Sequence, residues 1–482
     1  MIPLRLAAIA LIATAQPGSA AATSRPDFSD NLRRAITISG QENARFRLTD
    51  RMAHYLVPAV SVAVIQDCRI VELRAFGTAA PGRRATSRTL FQAGSLSKTF
   101  TAVAALRLVE QGALPLDDDV RPLLTSWQLP DSPLLAGRSI TLRGLLSHTA
   151  GINQEGGNGY ARGAPLPSLR QILDGHPPAN TQPIRVTAAP GTAWNYSGGG
   201  YYITQALMQD VSGAPFPQLM TRLVLDPLRL RDSHFAQPLA PQLEPRAAAA
   251  TGPDGAPLDG GWRVNPELAA GGLWTTAADV ARLLIAMARS VRGERGAILT
   301  RASAAELMAH GRGNWGLGVD LGRPGGVRRF GHTGHNPGFV SEYVMYPDTC
   351  QGAVIMTSGD QAGWLVTETL HAIGAAYDWP DRPAAVVQAA APLTDDIAER
   401  FTGTYRLRDF PTERFTIVRR PNGLHWARIG YIGRDLMPDP EGRLFSPDSH
   451  MQLEAVAPAI GRARTLSVSF GRGRNIAERI AD

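Results

Sequence analysis

Lysine is almost missing from this chain. Of its 49 basic residues one is lysine, Lys98, and the rest are arginine. Arginine stays protonated at any working pH, whereas a buried ammonium can give up its proton and act as a base. Attention therefore falls on the stretch Gln92-Ala93-Gly94-Ser95-Leu96-Ser97-Lys98-Thr99-Phe100. Other absences narrow the reading. No run of basic residues interleaved with aromatics occurs, so nothing points to a nucleic-acid partner. Beyond the N-terminus no apolar stretch approaches the length of a membrane span. Low-complexity tracts and internal repeats are lacking too. Cysteine occurs twice, at Cys68 and Cys350, without metal-like spacing. No Gly-x-Ser-x-Gly is present, which sets aside the nucleophile elbow of an α/β-hydrolase.

What is present begins with MIPLRLAAIALIATAQPGSAAATS, in which Arg5 precedes an apolar run and small residues follow. That layout reads as a signal peptide over residues 1–22, and hence a periplasmic or secreted protein with no integral membrane segment after cleavage. The remaining chain, about 460 residues, exceeds one ordinary core and implies two domains or three. At 44% hydrophobic residues it is globular, and its formal charge of +7 is scattered rather than clustered.

Along the chain, Val60 to Phe76 alternates and is rich in β-branched residues, which predicts a hairpin. From Ser95 to Gln111 the pattern is helical with little polar surface, and Gly112 is placed to end the helix in a left-handed conformation. The middle, Asp117 to Arg312, is loop-rich with helices over 141–147, 200–212 and 276–289, the last capped by Thr275 or Thr276. Strands follow over 328–332, 338–346 and 351–358, then a helix over 364–377. Residues 380–392 (PDRPAAVVQAAAP) have a linker's composition. Six short strand-like segments from Phe401 to Gly473, broken by turns, suggest a small antiparallel barrel or sandwich.

Ser95 and Lys98 are three residues apart, so at a helix start they share one face and can touch. Ser-x-x-Lys alone is a weak signal. It strengthens because Tyr196-Ser197-Gly198 opens a helical stretch and His332-Thr333-Gly334 ends a strand, with LLSHTAGI and AAGGLWTTAADVARLL between the first motif and the last. In this ordered set, covering about Asn31 to Tyr377, the chain resembles the penicillin-binding protein and serine β-lactamase superfamily. It is most similar to the branch of class C β-lactamases, D-Ala-D-Ala carboxypeptidases, D-aminopeptidases and related esterases.

The resemblance implies an α/β domain over 23–379, with a mostly antiparallel sheet flanked by helices and an all-helical lobe beside it. It also implies a lipocalin-like β domain over 393–482. By the same resemblance Ser95 is the nucleophile, Lys98 and Tyr196 handle its proton, and the backbone N–H groups of Ser95 and His335 form the oxyanion hole. His332, Thr333, Gly334 and Gly198 would line the substrate. The first strand of such a sheet pairs with the last, which would bring Cys68 and Cys350 together as a disulfide. No cofactor or metal is implied, since His332 and His335 should point opposite ways on an extended chain.

Two departures stand out. Gly198 replaces a common asparagine, and His332 replaces a common lysine, turning a fixed charge into one that can titrate. As an imidazolium, His332 could still meet a substrate carboxylate. His148, in LLSHTAGI, reads as structural. The expected activity is that of an exported serine hydrolase acting on D-amino-acid peptides, amides or small esters, possible partners being cell-wall fragments. Two alternatives stand beside it, a sensor that acylates without turnover and a β-lactamase.

Overall fold

A computed structural model describes residues 25–153, 156–381, 384–428, 431, 433–456, 461–470 and 473–481. The leader expected over 1–22 lies outside the described residues.

The hairpin predicted from alternation is formed by β1 (Ala59–Gln66) and β2 (Arg69–Ala80). Asp67 and Cys68 both take positive φ, 51° and 57°, the backbone that a two-residue turn needs to match the strand twist. With β3 (Arg83–Arg84), β4 (Phe330–Asn336), β5 (Phe339–Tyr346) and β6 (Gln351–Thr357) they make one antiparallel sheet in the order β3-β2-β1-β6-β5-β4. Strand β1 is buried on both faces, and its alternate side chains enter separate cores. Val60, Val62 and Val64 meet helix α4 (Gly363–Ala376) through Leu365, Val366 and Ile373. Ala59, Ala63 and Ile65 join the core that holds α1 (Ser97–Glu110) and α3 (Ala277–Val291). Thr276 caps α3, its Oγ1 accepting from Asp279 N at 3.3 Å. Gly112, at φ 71°, follows the end of α1.

Strand β4 runs past the expected end at His332. Gly334, His335 and Asn336 keep pairing with Ser341, Val340 and Phe339, so the motif sits inside a strand. Beside the sheet lies a helical lobe containing Leu142–Leu146, Leu169–Asp174 and α2 (Gly198–Ser212).

Antiparallel pairing of β1 with β6 places the β1–β2 turn against the turn before β6. Cys68 N donates to Cys350 O at 3.2 Å, and the two cysteines form the expected disulfide. It closes a sequence separation of 282 residues. Such a link restricts the unfolded chain, so replacing both cysteines with serine is expected to cost about 2–4 kcal/mol. Chemical denaturation measures that loss, and thiol titration of the denatured, non-reduced protein should find no reactive thiol.

The C-terminal strands close into an eight-stranded antiparallel barrel, from Gly403–Leu407 to Arg474–Ala481, which pair with each other to complete the ring. Two of its strands, Arg434–Pro438 and Arg474–Ala481, escape sequence reading because charged residues and proline interrupt their apolar alternation. The stretch with linker composition is partly ordered: Val386–Gln388 pairs in parallel with Ile36–Ile38, β-branched residues on both sides. A buried polar cluster joins barrel to sheet domain. Arg51 forks onto Glu368 (Nε to Oε2 2.8 Å, Nη2 to Oε1 2.6 Å) and reaches Asp448 Oδ1 at 2.6 Å. Tyr55 Oη donates to Glu368 Oε1 at 2.9 Å, and His54 Nε2 lies 3.0 Å from Asp448 Oδ2. Among the described residues no helix is long and apolar enough to cross a membrane.

Candidate active site

Sheet edge, helix α1 and lobe converge on Ser95. The expected helix start is a 3-10 turn, Gly94–Leu96, that feeds α1 at Ser97. Close backbone approach fixes this turn. Gly94 takes φ 54°, and a Cβ there would stand 2.6 Å from His335 N. A Cβ on Gly334 would stand 2.1 Å from Ala93 O and 2.4 Å from Ser341 Oγ. Only glycine at these two positions lets β4 press against the turn, which brings the His335 amide beside the Ser95 segment. Ser341 Oγ donates to Ala93 O at 2.8 Å, and Ser97 Oγ to Gly94 O at 2.6 Å, locking the turn further.

Lys98, one turn into the helical run, is 2% exposed. Its Nζ lies 2.9 Å from Ser95 Oγ and donates to Ala270 O at 2.9 Å. The rings of Tyr196 and Tyr201 stand 5.1 Å and 5.5 Å from the same nitrogen. Burial pushes the ammonium down to about 7. A neutral amine with two N–H bonds and one lone pair fits this setting, the lone pair facing the Ser95 hydroxyl.

Tyr196 is half-buried, just ahead of α2, while Gly198 is the first, buried residue of that helix. On β4 the side chains alternate. His332 and Gly334 are buried; Thr333 and His335 are exposed, with His335 Nε2 3.1 Å from Asp360 Oδ1. The two histidines therefore do point opposite ways. One charge differs from expectation. His332 Nδ1 lies 2.5 Å from the Thr333 carbonyl, which can only accept, so Nδ1 carries the proton and buried Nε2 presents a lone pair. Burial, helped by Lys98, pushes the imidazole down to about 3. His332 is neutral at working pH and cannot offer a carboxylate a positive charge; the extra burial comes from elements the sequence pattern does not reveal.

Two residues at the site, Trp194 and Trp315, had not been singled out from the sequence. Trp194 and Trp315 lie 5.7 Å apart with their rings tilted by 47°, and Trp315 stands 5.8 Å from the Tyr196 ring and 5.2 Å from His332, giving the site an aromatic wall. His148 joins the same cluster, 4.4 Å from Tyr196. The Trp-Asn-Tyr run at 194–196 was a legible sign, while Trp315 sits in a loop without pattern. Among the described residues no group of three or more His, Cys, Asp or Glu side chains is placed to hold a metal.

An antiparallel sheet with helices on both faces, a helical lobe, and a serine–lysine pair at their junction make up the α/β architecture that the resemblance to the penicillin-binding protein and serine β-lactamase superfamily implied. The chain belongs to the β-lactamase family, whose model matches residues 46–377. Penicillin-binding protein 4 of Amycolatopsis lactamdurans is 27% identical over 378 residues, covering 74% of this chain and 94% of that protein. Esterase EstB of Burkholderia gladioli is 31% identical over 213 residues, 42% of this chain and 52% of its own. The D-amino acid amidase from Ochrobactrum anthropi SV3, solved with D-phenylalanine, shares the fold at TM-score 0.54 and 22% identity, over 69% of this chain and 99% of that one.

Proposed function

We propose that this hydrolase-family protein is an exported serine hydrolase that forms an acyl-enzyme on Ser95, acting on D-amino-acid peptides or amides, or on small esters. The observation that carries the reading is the buried Lys98 amine 2.9 Å from Ser95 Oγ. As Oγ bonds to the substrate carbonyl carbon, its proton passes to Lys98 Nζ. The resulting oxyanion is held by the backbone N–H groups of Ser95 and His335. Collapse breaks the C–N or C–O bond, and the leaving group takes the proton back from Lys98 through Tyr196. Water then repeats the sequence and releases the acid.

Relatives named as an esterase, a penicillin-binding protein and a D-amino acid amidase support this range of substrates. Preference for amides and esters over β-lactams rests on two features. Gly198 supplies no amide side chain, and neutral His332 supplies no fixed charge for a carboxylate. Export is supported by the Cys68–Cys350 disulfide, which persists in oxidising compartments.

Mass spectrometry with a p-nitrophenyl ester tests the reading: a transient adduct should map to the peptide carrying Ser95 and vanish in Ser95→Ala. A permanent adduct without turnover would instead make the protein a sensor. The pH profile is the second check. Protonation removes the base, so kcat/KM for a neutral ester should fall about tenfold per unit as pH drops below about 7, and level off above it. Tyr196, Tyr201, His148 and His332 face Lys98, and both imidazoles are already held neutral by burial, so neither should add a limb near pH 6.

A further inference from the structure

In the proposed cycle Tyr196 passes the proton from Lys98 to the leaving group and so must be held in place, yet Tyr196 lies outside any helix or strand. One residue grips the chain on both sides of it. Asn195 N donates to the carbonyl of His148 at 2.9 Å, and Ser197 N donates to the imidazole Nδ1 of the same residue at 3.1 Å. Between these two bonds the His148 ring lies 4.4 Å from the Tyr196 ring, tilted by 37°. Trp315 packs against both rings, 5.2 Å from His148 and 5.8 Å from Tyr196.

We infer that His148 is the positioning residue for Tyr196, acting through its Nδ1 acceptor and not through its bulk. This rests on the acyl-enzyme reading of Ser95. Three observations separate it from ordinary packing. The residue is 2% exposed and holds φ at 61°, left-handed backbone that histidine, like asparagine and aspartate, adopts more readily than leucine or glutamine. Because Ser197 N–H occupies Nδ1, the ring proton must sit on Nε2, which is buried with no hydrogen-bond partner. An unpaired buried N–H carries a desolvation penalty that leucine or phenylalanine would avoid. Finally, Ser197 does not need this bond to start α2, since its own Oγ accepts from Gly200 N at 3.0 Å and donates to Asn153 O at 2.7 Å. What the imidazole adds is a fixed direction for the residue between.

Side-chain geometry supplies a sharp test. In asparagine Oδ1 stands where Nδ1 stands in histidine, and asparagine tolerates positive φ. Glutamine places its amide near Nε2 instead, and leucine fills volume with no acceptor. The full chain and its three variants would be compared with p-nitrophenyl butyrate for kcat, KM and burst amplitude, alongside thermal midpoints. His148→Leu and His148→Gln should each lose on the order of 10²-fold in kcat with KM within about threefold, the size of a misplaced proton-transfer group. His148→Asn should return to within about tenfold of the original chain, whatever its thermal midpoint. Equal kcat in Asn and Gln variants, or a loss that simply follows thermal stability, overturns the inference. Turnover surviving in Ser95→Ala overturns the acyl-enzyme reading itself, and the inference with it.

Discussion

Replacing Lys98 with arginine is expected to abolish turnover, lowering kcat by on the order of 10³-fold or more, since it removes the base from a nucleophile that cannot ionise alone. A guanidinium never gives up its proton under working conditions, so it cannot accept one from Ser95 Oγ, which now lies 2.9 Å from Nζ. Arginine also carries a permanent charge into a place 2% exposed, where the amine's contacts are the Ser95 hydroxyl and the Ala270 carbonyl, both uncharged. Lys98→Met therefore belongs in the same experiment. It buries no charge, keeps the volume, and should fold at least as well, while being equally inactive. Steady-state hydrolysis of a p-nitrophenyl ester, with circular dichroism and thermal midpoint as folding controls, measures both. Either variant turning over within tenfold of the original would remove Lys98 from the chemistry.

The second large effect is on stability. Arg51→Met should cost about 3–5 kcal/mol, because it leaves Glu368 and Asp448 buried without their shared cation. The loss would appear as an earlier thermal transition and as easier proteolysis between sheet domain and barrel, with activity on small esters retained at low temperature. A pH signature accompanies it. Burial alone would raise Asp448, but the His54 hydrogen bond and the Arg51 and Arg34 charges overcome burial and hold it below the usual carboxylate range. A carboxylate depressed in the folded state contributes stability above its unfolded pKa, about 3.9, and loses that contribution as pH falls toward the folded value. Acid should thus loosen the barrel contact below about pH 4, and Asp448→Asn should flatten that limb. An unchanged acid limb in Asp448→Asn would show that the cluster does not set it.

How much of this could be read before folding differs from residue to residue. Helix α3 was legible because Thr276, Asp279 and an apolar stripe lie within one short window. The β1–β2 hairpin was legible from the alternation and β-branched content of one continuous stretch. The role of Lys98 was visible as a compositional exception, and the spacing to Ser95 put the two on one helical face. The barrel was visible as a class, though two of its strands were not, since their pairing partners and not their own composition make them strands. His148 looked merely structural because the bond it makes is to a segment 49 residues away.

The sequence by itself determined the elements, the nucleophile motif and the chemistry available to one lysine, because periodicity, capping and spacing act over a few residues. Tertiary structure alone decided that His332 is uncharged, that Tyr196 is held from both sides, and that Arg51 meets a carboxylate 397 positions away. The physical reason is desolvation and long-range contact: the charge and direction of a side chain depend on which distant segments cover it, and no local pattern carries that information.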